Sequence, residues 1–333
     1  ELLEAWLTWA EAKPKRSNEV DNYRPLIALL LELYGPTPAA AFGPKDFRLV
    51  RDELVRRGRA RTGINRTMIR LRTLWRWAAA QELVPVERVT ALSMVRGLRA
   101  GESDAVEPAP VLAVDWEDVQ ATLPHLSSVV RSMVMLAWHT GARPNEICRL
   151  RSCDIDVNGP DGVWIATITD HKTKHHDPRK ARYLALGPAA REIVAPYLGS
   201  RRTDAPLFSP AEAIEEMFQR RAAARTTRPG QGNVRGSNRQ KNPRKKAGSA
   251  YTSQSFARAV HAACERAFPG EEQAHRRWSP GQLRHSFASR VREHLDLVAA
   301  SEALGHSDSE ITARHYAERS KRAAVRAVLA LGA

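Results

Sequence analysis

The most informative segment of this chain reads LGHSDSEITARHY over residues 304–316. In this segment Tyr316 follows His306 by ten residues. Two arginine-centred segments precede it, TGARPNE around Arg143 and QLRHS around Arg284. A guanidinium group donates paired hydrogen bonds to a phosphate and keeps its charge, and a phenol beside cations can act as a nucleophile. These residues therefore offer a nucleophile and the cations that chemistry on a phosphate needs.

The composition indicates a polyanionic partner. Among 333 residues, Lys plus Arg number 52 against 37 Asp plus Glu, which gives a formal net charge of +15 and a pI near 10.3. Nucleic acid is the leading partner for such a charge. No run approaches the ~20 apolar residues that span a bilayer, so no membrane partner is expected. The cysteines, Cys148, Cys153 and Cys264, lack paired spacing, so neither disulfides nor zinc are expected and a reducing cytoplasm fits.

The N-terminal part, residues 1–98, is predicted to be a helical domain. Its clearest helical patterns cover 25–34, 45–57 and 65–83, and in the last of these apolar residues recur at three- and four-residue steps. Arg66 and Arg70 lie on another face of this helix, which gives it a cationic side. Residues 99–110 combine Gly, Pro and charged residues without periodicity, and this composition predicts a linker.

Residues 111–333 are predicted to form a second, mixed α/β domain. Most of its patterns are helical, but the apolar period changes to two at 163–168 and 181–186, which predicts strands of a small antiparallel sheet. At about 226–250 a segment rich in Gly, Asn, Pro, Lys and Arg predicts a basic insertion. The fold class is therefore mainly α, with a helical N-terminal domain and a mixed α/β C-terminal domain.

The three segments resemble the catalytic motifs of the tyrosine recombinase, or phage-integrase-like, family. The resemblance covers essentially the whole chain and identifies 1–98 as a core-binding domain and 111–333 as the catalytic domain. It implies that Arg143 and Arg284 clamp the scissile phosphate. It also implies that Tyr316 forms a 3′-phosphotyrosine bond while a 5′ hydroxyl is released.

The resemblance implies the remaining catalytic roles as well. Lys172, between the predicted strands, matches the family's mobile lysine, which protonates the 5′ leaving oxygen, and Lys174 is its nearest rival. His306 would hydrogen-bond the phosphate or support the nucleophile, and Glu146 would hold Arg143 in place. The alternatives are a helix cap for Arg143 and an ordinary pair of hairpin lysines.

Two features depart from the family pattern. Gly281 stands where the family has the first histidine of His-x-Leu-Arg-His, so a proton-transfer or phosphate-binding group is missing. The interval from His306 to Tyr316 is one residue longer than the family's. Three histidines of the predicted strand turn could compensate: His171, His175 and His176. A turn rich in Lys and His is usually solvated, so we expect no metal there, and no cofactor is expected.

Phosphate contacts outside the catalytic centre are expected from two groups of basic residues. One group is the cationic face of the N-terminal helix, with Arg66 and Arg70. The other is the basic insertion, with Arg244, Lys245 and Lys246, for which the alternative is a solvated loop. Neutralising phosphates releases counterions, so such binding would weaken as salt increases.

Together these features predict a site-specific DNA recombinase or integrase that cleaves and rejoins double-stranded DNA. The resemblance implies a homotetramer on two DNA sites, a mobile-element origin and a place in the bacterial cytoplasm at the nucleoid. Two alternatives stay open. One is a type IB topoisomerase-like enzyme, and the other is a DNA-binding relative whose catalysis is impaired.

Overall fold

A computed structural model describes residues 1–12, 19–168, 182–199, 202–226, 248–295 and 297–304. The chain divides into two compact units, 1–110 and 111–333. Several predicted site residues lie outside the described residues: Lys172, Lys174, Arg244, Lys245, Lys246, His306 and Tyr316. The histidines His171, His175 and His176 lie outside them too. Within the described part of the chain, no helix is long and apolar enough to cross a membrane.

The first unit is helical in its described residues. Its helices are α1 Leu2–Glu11, α2 Glu19–Tyr34, α3 Pro44–Arg56, α4 Arg61–Ala80 and α5 Val86–Ser93. The helix predicted at 65–83 is α4. Its apolar residues at three- and four-residue steps are the ones it buries: Ile64, Met68, Leu71, Leu74, Trp75 and Ala78. The apolar spacing therefore indicates the correct inward face.

The segment predicted as a linker packs partly on the first unit. Ala105 is buried, and Val106 forms an isolated parallel bridge with Ala60 just before α4. Arg61 Nε donates to Glu107 Oε1 over 2.6 Å. These contacts place residues 105–107 against the start of α4.

The second unit combines helices with a sheet. Its helices are α6 Trp116–Thr122, α7 Ser128–Thr140, α8 Pro144–Arg149, α9 Pro188–Val194, α10 Pro210–Ala223, α11 Ser253–Ala267, α12 Pro280–His294 and α13 Leu297–Leu304. Its strands are β1 Ile155–Asp156, β2 Trp164–Ile168 and β3 Arg182–Leu186. The sequence analysis does not predict α10, a helix that buries none of its residues.

The described residues include a three-stranded antiparallel sheet with the order β1-β2-β3. The predicted strands 163–168 and 181–186 correspond to β2 and β3, and the prediction of a small antiparallel sheet is confirmed. Trp164 pairs with Leu186 at one end and Ile168 pairs with Arg182 at the other. The two-residue strand β1 is too short for an apolar alternation, so only its pairing with β2 reveals it.

The core of the second unit forms around α7. This helix buries Val129, Val130, Met133, Val134, Leu136 and Ala137, and it contacts α8, α9, α10, α11, α12 and β3. Ser127 caps its start by accepting a hydrogen bond from the backbone N–H of Val130. Because α7 is held on several sides, the loop that follows it has a fixed starting point.

Candidate active site

Arg143 is positioned by the end of one helix and the start of the next. Helix α7 ends at Gly141, whose φ of 62° is in the left-handed region, where glycine is favoured because it lacks a Cβ. Helix α8 begins at Pro144, and proline suits a first helical position. Arg143 is the N-cap residue between them. The glycine that ends α7 and the proline that begins α8 thus fix the backbone position of Arg143 between the two helices.

Glu146 holds both the backbone and the side chain of Arg143. The backbone N–H of Arg143 donates to Glu146 Oε2 over 2.8 Å, and Arg143 Nη1 donates to Oε1 over 2.9 Å. The Glu146 side chain is 4% exposed, whereas the Arg143 side chain is 40% exposed. The carboxylate therefore orients a guanidinium that still reaches the surface.

A second arginine, Arg182, contacts the same carboxylate. It lies at the start of β3, and its Nε donates to Glu146 Oε1 over 2.9 Å. Arg182, Leu184 and Leu186 occupy the buried positions of an alternating strand. The sequence reasoning missed this residue, and its signal was an arginine at an inward position of a strand pattern.

The charge of Glu146 is maintained by its partners. Burial alone would raise the pKa of this carboxyl, but the charges of Arg182 and Arg143 and the backbone N–H of Arg143 hold the pKa below its usual value of 4.5. Glu146 is therefore ionised at neutral pH and acts only as an acceptor. It can orient cations but cannot serve as a proton donor there.

Arg284 lies inside α12 and is 3% exposed. Its Nη1 donates to the carbonyl oxygen of Gly141 over 2.7 Å, and its Nη2 donates to the carbonyl oxygen of Leu304 over 2.8 Å. The first bond reaches the loop that carries Arg143, and the second reaches the end of α13. The structure thus joins the two predicted clamp arginines through the residues that follow α7.

Gly281 lies in the first turn of α12, where the family pattern has histidine. A Cβ built on Gly281 would meet only the Ser279 Oγ, at 4.0 Å, among the described residues. The helix start is secured independently of this position, because the backbone N–H of Ser279 donates to Gln282 Oε1 over 2.9 Å. The described residues therefore leave room for a Cβ at this position.

The predicted phosphate contacts of α4 differ from each other. Arg66 is exposed, and it forms no ion pair with the described residues. Arg70 is partly buried, and its Nε donates to Glu19 Oε1 of α2 over 2.9 Å. Arg70 therefore shares its charge with a carboxylate, whereas Arg66 presents its charge to solvent.

This arrangement can stabilise negative charge on a phosphate. Arg143 is presented at the surface, Arg284 is anchored beneath the same loop, and both groups keep their charge through a reaction. Cations placed in advance at the developing charge lower the barrier to phosphoryl chemistry. Lys172, His306 and Tyr316 lie outside the described residues, so the described part of the predicted site consists of Arg143, Glu146 and Arg284.

Solved structures with a similar fold include integrases and a recombinase bound to DNA. The Tn1549 transposon integrase in complex with transposon right end DNA has a TM-score of 0.63 at 14% identity, over 100% of this chain and 98% of that chain. A lambda integrase dimer bound to a COC′ core site has 0.63 at 12% identity, over 96% and 95%. XerH recombinase bound to its difH substrate has 0.59 at 16%, over 98% and 83%. The fold is that of the tyrosine recombinases.

The sequence itself defines the family. The profile of the phage integrase family matches residues 117–322, which is more than half of the chain. The protein therefore belongs to the phage integrase family, whose members are tyrosine site-specific recombinases, enzymes that cleave and rejoin DNA. No curated protein sequence matches the chain significantly.

Proposed function

We propose that this protein is a site-specific recombinase in which Tyr316 is the nucleophile for DNA strand cleavage. The phenolic oxygen of Tyr316 gives up its proton and attacks the scissile phosphorus, the bond from phosphorus to the 5′ oxygen breaks, and a 3′-phosphotyrosine forms. The 5′ oxygen leaves as a hydroxyl after accepting a proton. The reverse attack by a 5′ hydroxyl of another strand rejoins the DNA and frees Tyr316.

The observation that carries this proposal is the bond from Arg284 to the carbonyl oxygen of Gly141. It brings together the two arginine segments that the sequence predicts as a phosphate clamp, although Arg284 and Gly141 are 143 residues apart in the chain. In the proposed reaction Arg143 and Arg284 neutralise the non-bridging oxygens, whose negative charge grows as Tyr316 attacks. Glu146 keeps Arg143 oriented before DNA binds.

The proton for the 5′ oxygen is assigned to Lys172. A lysine can act as a general acid when its ammonium group lies within hydrogen-bond reach of the leaving oxygen. His306 is assigned to the phosphate or to the hydroxyl of Tyr316. Because Gly281 supplies no side chain, this group must work without the histidine that is usual at that position.

DNA binding outside the catalytic centre is assigned to basic residues in both units. Arg66 and Arg70 of α4 contact the phosphate backbone, and so do Arg244, Lys245 and Lys246 of the basic insertion. The Arg70 side chain also pairs with Glu19, so Arg66 makes the stronger of the two DNA contacts from α4. Each contact adds to the salt dependence of binding.

The proposed assembly is a homotetramer on two double-stranded DNA sites. Lambda integrase forms a tetramer bound to a Holliday junction, and the tetramer is proposed for this chain by similarity of fold. The units are proposed to act as a core-binding domain, 1–98, and a catalytic domain, 111–333, each of which binds DNA. The protein is proposed to work at the nucleoid in the bacterial cytoplasm, on DNA of a mobile element.

A suicide substrate tests the proposal. DNA from the flanks of the gene, nicked near the cleavage position, loses a short fragment after attack and so traps the covalent intermediate. Wild-type protein should give a protein–DNA band on a denaturing gel, and Tyr316→Phe should give none while binding DNA with nearly the same affinity. The phenylalanine removes one hydroxyl and no cation.

Each other result of this experiment has a defined meaning. A covalent band that persists in Tyr316→Phe would contradict the assignment of the nucleophile. Specific DNA binding without a band in the wild type would favour a DNA-binding relative with impaired catalysis. Tyr183→Phe is the matched control, because Tyr183 is an exposed strand tyrosine and its loss should leave the band intact.

A further inference from the structure

The buried guanidinium of Arg182 has no part in the cleavage chemistry proposed above. Its side chain is 5% exposed, so it cannot contact DNA as Arg143 can. A buried ion pair is a weak device for stability, because desolvating two charges costs about as much as their attraction returns. A role in the reaction is a better explanation for an arginine at this position.

The carboxylate of Glu146 is divided unequally between two arginines. Its Oε2 accepts from the backbone N–H of Arg143 over 2.8 Å. Its Oε1 accepts from the guanidinium groups of both Arg143 and Arg182, each over 2.9 Å. The backbone bond holds the carboxylate in place, so the two guanidinium groups share the remaining oxygen.

We propose that Arg182 is a positioning residue for strand cleavage. Arg182 neutralises part of the charge of Glu146, so the charge of Arg143 stays available to the scissile phosphate. This inference rests on the proposed function. An arginine paired alone with a buried carboxylate is largely neutralised, and a phosphate must then compete with that carboxylate. With Arg182 on the same oxygen, Glu146 orients Arg143 without cancelling it.

The position of Arg182 in the sheet supports this role. Arg182 pairs with Ile168 across β2 and β3, and these two residues flank segment 169–181, which contains Lys172. Glu146 therefore links Arg182, which directly follows that segment, to Arg143. The electrostatics agree, because the charge of Arg182 lowers the pKa of Glu146 more than the charge of Arg143 does, against the effect of burial.

Four variants test the inference on the suicide substrate: Arg182→Met, Arg182→Lys, Glu146→Gln and the double variant Glu146→Gln/Arg182→Met. Arg182→Met should slow single-turnover cleavage by roughly ten- to a hundred-fold, the scale on which misplacing a reacting group lowers a rate. The DNA dissociation constant should change far less, because many phosphate contacts contribute to it. Arg182→Lys should keep most of the rate.

The double variant separates positioning from support of the fold. If Arg182 acts by meeting the charge of Glu146, removing that charge as well should restore part of the cleavage rate lost in Arg182→Met. If Arg182 only supports the fold, the double variant should be as slow or slower. That result, or a wild-type rate in folded Arg182→Met, would overturn the inference.

Two controls keep the outcomes distinguishable. Arg276→Met removes another arginine that pairs with a carboxylate, Asp118, at 2.7 Å, and it should cleave at the wild-type rate. If Arg182→Met does not fold, the inference is tested by the cleavage rates of Arg182→Lys and of the double variant, each compared with the cleavage rate of Glu146→Gln. Absence of a covalent band in the wild type would contradict the proposed function itself. A covalent band that forms at the same rate in every variant would contradict only the role of Arg182.

Discussion

Arg284 donates a hydrogen bond of 2.7 Å from its Nη1 to the carbonyl oxygen of Gly141. Gly141 ends α7 and lies two residues before Arg143, so a residue of α12 is tied to the loop that presents the other clamp arginine. Arg284 is buried, whereas Arg143 is substantially exposed. Both arginines are therefore connected to the loop after α7, but the stability of the fold should depend more on the buried Arg284 than on the exposed Arg143.

Arg284→Ala and Arg143→Ala should both lower cleavage but should differ in stability. Each removes a charge donor, so cleavage should fall by ~10²-fold or more. Arg284→Ala also leaves buried carbonyl oxygens of Gly141 and Leu304 without this donor, which costs about 1–3 kcal/mol for each group that water cannot reach. Arg143→Ala leaves Glu146 paired with Arg182, so the loss of stability should be small.

Urea unfolding and single-turnover cleavage measure the two effects. The expected pattern is a clear drop in the unfolding midpoint for Arg284→Ala and little change for Arg143→Ala, with slow cleavage in both. Near-normal cleavage in either variant would contradict the phosphate clamp. Equal loss of stability in both would contradict the difference in burial.

Gly141→Ala should destabilise the second unit more than backbone strain alone explains. A Cβ on Gly141 would overlap the Phe287 ring of α12, and an alanine at its φ of 62° is strained as well. Gly58 has a φ of 67° with open space around it, so Gly58→Ala is the matched control for strain. We expect about 1–2 kcal/mol for Gly58→Ala and a further ~1–3 kcal/mol for Gly141→Ala from overpacking.

The same variant should slow cleavage, because the overlap displaces the loop that carries Arg143. Chemical unfolding and the suicide substrate report the two effects, and Gly58→Ala should cleave normally. If Gly141→Ala unfolds no more readily than Gly58→Ala, the close contact with Phe287 does not limit this position.

Gly281→His should raise the cleavage rate. The described surroundings leave room for a Cβ at this position in the first turn of α12, and an imidazole there can add a hydrogen bond or a proton to the phosphate chemistry. Acid–base groups of this kind typically contribute about 10²–10⁴-fold, so even partial restoration is measurable. The measurement is single-turnover cleavage near neutral pH.

Gly281→Ala separates this chemistry from helix stability. Alanine lowers the entropy cost of the helical glycine by about 0.5–1 kcal/mol but adds no polar group. It should raise the unfolding midpoint slightly and leave the cleavage rate unchanged. If both variants cleave faster to the same extent, the gain comes from stability and the histidine adds no chemistry.

The stability that Glu146 contributes should depend on pH in the acid range. Its folded-state pKa is held below the usual value of 4.5 by Arg182 and Arg143, despite the opposing effect of burial. A group with a depressed folded pKa stabilises the fold fully above the unfolded pKa and loses that contribution as pH falls through the folded pKa. The wild type should therefore lose stability in this way below about pH 4.5.

Glu146→Gln lacks this titration. The glutamine leaves Arg182 buried without its carboxylate, so the variant should be less stable at neutral pH by ~3–5 kcal/mol. The difference from the wild type should shrink as pH decreases below about pH 4.5. Urea unfolding at several pH values measures it, and a difference that stays constant with pH would contradict the depressed pKa.

The chain's local signals account for much of this architecture. Gly141 and Pro144 mark where α7 stops and α8 starts, and the spacing of α4 indicates its buried face. The alternation of β2 and β3 predicts the small sheet. These features depend on residues within a turn or two of each other, so steric limits, capping and periodicity suffice to predict them.

The family resemblance likewise comes from the order of short motifs, so the sequence by itself determined the class of enzyme and the arginines to test. Tertiary structure decided what those arginines contact. Arg182 meets Glu146 across 36 positions of the chain, and Arg284 meets Gly141 across 143. Such contacts depend on how helices and strands pack, and no local pattern specifies which buried donor reaches which acceptor.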